Sequence, residues 1–368
     1  MRILILANND VGLYKFRREL IEELVKTHEV YMCLPNGTFI SELVKIGAHF
    51  IPCTVLERHG TNPFKELKLI LFYRNILKRY NPNIVLTYTI KPNIYGGIIC
   101  TRMKIPYIVN VTGLGTAVEN NGFLQFITLR LYKMGLTGAQ KVFFQNEENK
   151  AFMEQHGIVT GPYEVIPGSG VNLERFPLLP YPDDEVIRFA FISRIMKEKG
   201  IDQYLEAAEI IKAQYSNTEF HVCGFCEKEY EGKLSELNEN GTVIYHGMVN
   251  DVSGFLKDIH CVIHPTYYPE GMSNVLLEAC ASGRPIITTN RSGCREVVED
   301  GVNGYIVEEK NSQDLIAKIE LFLDESVNEH MEMGIAGRKK VEKEFDRHIV
   351  VKKYLLEANQ IKIGRAHV

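Results

Sequence analysis

The sequence predicts an α/β protein built from two doubly wound parallel-sheet domains in tandem. Short apolar, β-rich runs alternate with longer helical patterns from the first residue onward, which is how βα units feeding a parallel sheet are written. Turn formers and prolines interrupt that alternation around residues 167–182, and a second series begins after them. At 368 residues the chain exceeds one ordinary core and fits two domains of roughly 150 to 200 residues.

In the first series, strands are expected at residues 2–7, 29–34, 49–52, 84–87, 107–111, 142–144 and 164–166. Helical stretches at 13–25, 64–80, 93–103 and 123–136 separate them. Residues 1–168 then form an N-terminal, acceptor-binding domain, and Pro167-Gly168-Ser169-Gly170 with the prolines through Pro182 mark a linker at 169–186. The C-terminal domain, 187–345, has strands expected at 187–193, 219–223, 243–246, 261–264, 285–289 and 304–307, then helices at 312–323 and 327–344. Residues 346–368 hold a last helix near 348–361, expected to pack back on the first domain, and a tail from Ile363 that fits no element. Two Rossmann-like domains of this kind are expected to face a central cleft at the carboxyl ends of their strands.

Composition narrows the function. The chain is 45% hydrophobic and 24% charged, as a globular protein is, and no apolar run approaches the roughly 18 residues that span a bilayer. The segment Met1-Arg2-Ile3-Leu4-Ile5-Leu6-Ala7 is too short for a signal peptide and reads as a strand, so a cytoplasmic protein is expected. Eight irregularly spaced cysteines fit reduced thiols, and Cys223-x-x-Cys226 lacks the second ligand pair of a zinc site. Net charge is -4, but residues 1–170 carry 19 Lys and Arg against 13 Asp and Glu, a balance of +6. The front half therefore suits an anionic partner, either a membrane surface or a phosphorylated acceptor. Nucleic acid has little support at a pI near 6.3, and Ala7-Asn8-Asn9-Asp10-Val11-Gly12 lacks the G-x-G-x-x-G turn of a dinucleotide site.

The chemistry concentrates in the second domain. Glu270-Gly271-Met272-Ser273-Asn274 follows a strand, and Ser273 or Asn274 is a natural N-cap for a helix through Ala281. The first amides of a helix lack internal partners and sit at its positive end, so a diphosphate can bind there without a metal. Glu270 before the helix and Glu278 within it can accept from hydroxyl-rich groups. In isolation, two glutamates eight residues apart read as solvated charges; the strand–loop–helix context argues for a site. Arg194 and Lys199 of Ser193-Arg194-Ile195-Met196-Lys197-Glu198-Lys199-Gly200 follow the domain's first strand, where two cations suit a leaving diphosphate. The competing reading is a basic turn in water.

Together with Gly283-Arg284-Pro285-Ile286-Ile287 and Gly301-Val302-Asn303-Gly304-Tyr305, these motifs resemble glycosyltransferase family 4, of GT-B architecture, over nearly the whole chain. The resemblance implies that Arg194 and Lys199 bind the donor diphosphate, Glu270 the donor sugar and Glu278 the ribose. The backbone at Gly271, Met272, Ser273 and Asn274 would hold phosphate and sugar oxygens. It further implies retention of anomeric configuration without a metal or other cofactor; no Asp-x-Asp stands at a strand end, and Asp183-Asp184-Glu185 lies in the linker.

Gly12-Leu13-Tyr14-Lys15-Phe16-Arg17, Lys91-Pro92-Asn93-Ile94-Tyr95-Gly96-Gly97 and Val111-Thr112-Gly113-Leu114-Gly115 resemble a subgroup that builds bacterial surface polysaccharides, capsule among them, or lipid-linked oligosaccharides. The implied partners are a nucleotide-sugar donor, with uridine the expected base, and a sugar or polyprenyl-diphosphate-linked saccharide acceptor. Gly12 would let backbone approach a ligand, and Arg17 is the candidate for an acceptor phosphate. Thr112 stands where many members carry a histidine, so attack assisted by the donor phosphate replaces a histidine base, with Glu119 an alternative base. His246 and His264 read as structural. Residues 64–80 interleave Lys65, Lys68, Arg74, Lys78 and Arg79 with Phe64, Leu67, Ile70, Leu71 and Leu77, as an interfacial helix does, and residues 123–136 could join that surface. Peripheral binding to an anionic membrane, at the inner face of the plasma membrane, follows as an expectation. Two alternatives stay open: a UDP-sugar 2-epimerase-like enzyme, and a non-catalytic nucleotide-sugar-binding protein.

Overall fold

The computed structural model describes residues 1–56, 62–114, 118, 122–159 and 161–366. The chain divides into two compact units, residues 1–169 with 347–368, and residues 170–346.

In the first unit, β1 (Arg2–Leu6), β2 (Glu29–Leu34), β3 (His49–Pro52), β4 (Ile84–Tyr88), β5 (Tyr107–Val111), β6 (Lys141–Phe144) and β7 (Tyr163–Val165) form one sheet in the order β3-β2-β1-β4-β5-β6-β7. Every pair is parallel. Such a sheet is covered on both faces, which is why β1 reads as continuous Ile-Leu-Ile-Leu rather than alternating with polar residues. Ile3 and Ile5 pack with Leu13, Leu20 and Leu24 of helix Asp10–Val25 and with Val350, Val351 and Tyr354 of helix Arg347–Ala366. Leu4 and Leu6 belong to the opposite core, with Leu69, Tyr73 and Leu77 of helix Pro63–Tyr80 and Tyr132 and Leu136 of helix Phe123–Leu136.

The C-terminal helix is tied to this unit by polar contacts as well. Arg347 Nη1 lies 2.8 Å from both carboxylate oxygens of Glu19, and Asn110 Nδ2 donates to Tyr354 Oη at 2.7 Å. The helix runs to Ala366, so the tail that fits no element in the sequence is helical over most of its length. The expected helix at 93–103 is also different: it opens as a π-helical turn, Pro92–Gly96, before the α-helix Gly97–Met103. Close backbone packing accompanies that turn, since a Cβ on Gly97 would lie 2.0 Å from the Gly135 carbonyl oxygen.

In the second unit, β8 (Ile187–Ile192), β9 (Thr218–Cys223), β10 (Ile244–Tyr245), β11 (Cys261–His264), β12 (Ile286–Thr289) and β13 (Gly304–Val307) form a second all-parallel sheet, ordered β10-β9-β8-β11-β12-β13. Residues 170–186, expected as linker, are folded onto this unit. The fully buried Arg284 guanidinium holds them, donating to the Pro180 carbonyl at 2.7 Å while also bonding Leu256 and Lys257 carbonyls at 2.8 and 3.2 Å. Helix Val327–Glu344 starts with a Ser326/Glu329 capping box and lies close against the turn after helix Asn274–Ala281. Gly334 permits that approach, because a Cβ there would sit 2.2 Å from the Gly283 carbonyl oxygen. All eight cysteines are free thiols.

Candidate active site

Strand order locates the site in each sheet. β8 and β11 are neighbours though not consecutive, so the chain leaves them toward opposite edges and the loops at their carboxyl ends diverge. Arg194 and Lys199 lie just after β8, and residues 270–274 lie between β11 and helix Asn274–Ala281.

Glycine brings the two loops into contact. Gly200 has φ +79°, and a Cβ on it would fall 2.1 Å from the Pro265 carbonyl oxygen. The Glu198 carbonyl accepts the Tyr267 N–H at 2.9 Å and the Thr266 hydroxyl at 3.2 Å. As a result Lys199 Nζ donates to Glu270 Oε1, with the side chains only 10% and 15% exposed. Lys199 Nζ also lies 4.6 Å, and Arg194 Cζ 5.6 Å, from the centre of the Tyr268 ring. Arg194 Nη1 is 4.0 Å from Glu227 Oε1. His264, the last residue of β11, points Nε2 at the same Glu270 oxygen from 3.7 Å.

This setting fixes the charge on Glu270. Burial pushes its carboxyl up, but the Lys199 ammonium and His264 outweigh burial and hold it down to about 2, against an ordinary 4.5. Burial lowers His264 below its usual 6.5 despite the neighbouring carboxylate, so the imidazole is neutral at pH 7. The pair is thus a fixed anion beside a fixed cation at a helix start, suited to a ligand that carries both hydroxyls and phosphate.

The loop after β12 supports Glu270 from behind. Gly293, φ +88°, accepts the Ser273 N–H on its carbonyl at 2.8 Å, and a Cβ on it would lie 2.8 Å from Glu270 Cβ and 2.9 Å from the Gly271 carbonyl oxygen. Ser273 is the N-cap of helix Asn274–Ala281, but its hydroxyl makes no capping bond. Its N–H, expected among the donors to phosphate, is instead spent on Gly293 in this conformation. The Met272 side chain is buried in the core with Leu276 and Val297, which leaves only its backbone to the loop. Glu278 lies half-buried on the second turn of the helix. Next to Arg194, Gly224 packs on the Ser193 carbonyl, and a groove of about 420 Å³ opens along Gly224, Phe225, Cys226, Tyr245 and Met248. Of the other sequence candidates, His246 pairs with His221 at 2.8 Å instead of approaching Glu270.

In the first unit β1 and β4 are the corresponding neighbours. Helix Asp10–Val25 follows β1 with Asn9 as N-cap, and the Gly12 N–H donates to Asn9 Oδ1 at 2.6 Å. Gly12 therefore lies inside the first turn with its N–H committed to the cap. Arg17 is buried, its guanidinium 5.1 Å from the centre of the Tyr88 ring and its Nη1 donating to the Phe16 carbonyl. No carboxylate pairs with it among the described residues. Thr112 lies half-buried directly after β5, and Glu119 lies outside the described residues. Directly after β4, Thr89 has φ 71°, a strained conformation for a β-branched residue, and its buried hydroxyl has no partner among the described residues. Among the described residues, no group of three or more His, Cys, Asp or Glu is placed to hold a metal ion, and no helix is long and apolar enough to cross a membrane.

His264, Tyr268, Gly293 and Thr89 join the candidate site only in the structure, not in the sequence. Gly200 and Gly293, each packed against a loop of the candidate site, were the available signals.

Two parallel α/β units of this order have the GT-B architecture, a fold found among glycosyltransferases. Residues 2–146 match the family described as glycosyl transferase 4-like, and residues 174–340 match glycosyl transferases group 1. The chain is 27% identical to the N,N'-diacetylbacillosaminyl-diphospho-undecaprenol alpha-1,3-N-acetylgalactosaminyltransferase of Campylobacter jejuni, over 96% of this chain and 97% of that protein. It is 26% identical to the capsular polysaccharide biosynthesis glycosyltransferase CapM of Staphylococcus aureus, over 94% and 93%. The crystal structure of Anabaena HepE in complex with UDP and glucose shares the fold, with a TM-score of 0.78 at 16% identity over 98% of this chain and 99% of that one. The chain belongs to the family 4 glycosyltransferases.

Proposed function

We propose that this glycosyltransferase moves a hexose-type sugar from a UDP-sugar to the sugar of a lipid-linked saccharide, with retention of configuration and without a metal ion. The observation that carries the reading is the cluster of Arg194, Lys199 and Glu270 around Tyr268, at the carboxyl ends of β8 and β11. Arg194, Lys199 and the positive end of helix Asn274–Ala281 take up the negative charge that grows on the diphosphate as the glycosyl C–O bond breaks. Glu270, ionised throughout the neutral range, accepts hydroxyls of the donor sugar, and Glu278 those of the ribose. The acceptor oxygen bonds to the anomeric carbon on the face the diphosphate leaves, and its proton passes to the departing phosphate oxygen. No base is then needed at Thr112. Arg17 is assigned to the acceptor's phosphate.

The choice of donor and acceptor is supported by relatives: HepE was crystallised with UDP, and the Campylobacter enzyme is named for a diphospho-undecaprenol acceptor. A place in capsule or other surface polysaccharide synthesis is supported by CapM. Peripheral attachment to the inner face of an anionic membrane is supported by helices Pro63–Tyr80 and Phe123–Leu136, both packed on segment Pro92–Gly96. Phe64 and Phe123 are 80% and 79% exposed, Leu67, Leu71 and Phe126 are exposed on the same helices, and Lys65, Lys68, Arg74 and Arg130 interleave with them along the sequence.

A panel of nucleotide sugars screened by thermal shift, followed by transfer to a polyprenyl-diphosphate saccharide, tests the reading. Lys199→Ala and Glu270→Ala are expected to abolish transfer in a folded chain. Unchanged transfer in both refutes the assignment.

A further inference from the structure

His264 has the character of a core histidine in the sequence, yet its ring is built into the donor site. It ends β11, is almost fully buried, and is fixed through its own carbonyl, which accepts the Thr288 hydroxyl at 2.8 Å. Its Nε2 stands 3.7 Å from Glu270 Oε1, the same oxygen that Lys199 holds, and its Nδ1 has no partner among the described residues. A separation of 3.7 Å is longer than a hydrogen bond. The imidazole is therefore a neighbour in waiting, while Lys199 occupies the carboxylate.

We propose that His264 is a positioning residue for Glu270. When Lys199 turns to the donor diphosphate, the His264 Nε2–H closes on Glu270 Oε1 and keeps the carboxylate aimed at the donor sugar. The inference rests on the reading of this corner as the nucleotide-sugar site. A neutral imidazole has one N–H, and placing it on Nε2 turns it toward the Glu270 carboxylate. Glu270 stays buried after Lys199 moves, and an N–H from His264 favours its charged form, the form that accepts hydroxyls. Hydrogen bonds long in the empty site and short in the occupied one are common where catalytic groups are poised. Thr288, which fixes the histidine, lies on β12, so three neighbouring strands contribute to one carboxylate's aim: β8 through Lys199, β11 and β12.

Binding separates this role from a packing role, because UDP alone carries no donor-sugar hydroxyls for Glu270 to be aimed at. His264→Leu keeps the volume and removes the donor; His264→Gln keeps an N–H near the reach of Nε2. Titration calorimetry with UDP, and with whichever of UDP-glucose, UDP-galactose, UDP-N-acetylglucosamine and UDP-N-acetylgalactosamine binds the wild type tightest, reads both. The leucine variant is expected to keep its UDP affinity within about twofold and to lose about tenfold or more for the UDP-sugar, a loss that glutamine largely restores. If the leucine variant does not fold, His264→Asn, whose amide falls short of Glu270, carries the same expectation. Equal weakening of UDP and UDP-sugar, or full UDP-sugar affinity in the variant without the donor, overturns the inference. A wild-type chain that binds neither UDP nor any UDP-sugar removes the donor-site reading itself, and the inference with it.

Discussion

Two glycines separate backbone strain from a specific role in the site. Gly293 and Gly301 have φ +88° and +72°, so alanine at either position carries a left-handed penalty of about 1 kcal/mol. Their surroundings differ. A Cβ on Gly301 meets nothing within 4 Å, whereas one on Gly293 meets Glu270 Cβ at 2.8 Å and the Gly271 carbonyl oxygen at 2.9 Å. Ordinary contacts begin at 3.4 Å, so the loop carrying Glu270 must retreat by about half an ångström, and the Ser273–Gly293 hydrogen bond is stretched with it. Overpacking of this kind adds about 1–3 kcal/mol to the strain. Gly301→Ala should lower the melting temperature by about 2–4 °C and leave UDP-sugar affinity unchanged. Gly293→Ala should lower it further and weaken UDP-sugar binding by about tenfold or more, because misplacement on this scale is felt by positioned groups. Differential scanning fluorimetry and calorimetric titration measure the two quantities. Equal effects of the two variants on UDP-sugar binding would refute the claim that the loop after β12 positions Glu270.

Glu270 makes stability depend on pH in a defined window. Its folded pKa of about 2 lies below the ordinary 4.5, so the folded chain binds fewer protons there. Its contribution, on the order of 3 kcal/mol, is complete above about pH 4.5 and lost as pH falls toward 2. The stability gap between wild type and Glu270→Gln, measured by urea unfolding, should shrink across that range; a gap independent of pH contradicts it. Arg284→Lys should cost about 2–4 kcal/mol, seen as a lowered urea midpoint, because one ammonium cannot serve the Pro180, Leu256 and Lys257 carbonyls that the guanidinium reaches. Exchanging Phe64 and Phe123 for serine should reduce sedimentation with phosphatidylglycerol vesicles without lowering the melting temperature, since both rings are exposed. Sedimentation equal to wild type would remove these helices from the membrane contact.

The strands were legible because parallel strands buried on both faces are short, continuous and apolar: β2, β3, β5, β11 and β13 fall at the expected residues. The E-x7-E frame and the Arg194–Lys199 loop were legible because strand ends and a helix start bracket them. Other features depend on contacts distant in sequence. Nothing local in Ile263-His264-Pro265 announces that the ring meets a glutamate six residues on, and a 3.6-residue period does not register the wider turn at Pro92–Gly96. The cap at Asn9, which takes the Gly12 N–H, was not read from the sequence. Arg284 was visible only as part of a motif; its work, strapping residues near Pro180 to the second unit, spans 104 positions.

Everything proposed for the donor turns on Lys199 exchanging Glu270 for phosphate at the junction of β8 and β11. A crystal structure of the chain soaked with UDP tests that directly. The diphosphate should lie against Arg194, Lys199 and the start of helix Asn274–Ala281, with the Lys199–Glu270 bond opened and His264 Nε2 within about 3 Å of the carboxylate. UDP bound elsewhere, with the Lys199–Glu270 pair undisturbed, would contradict it.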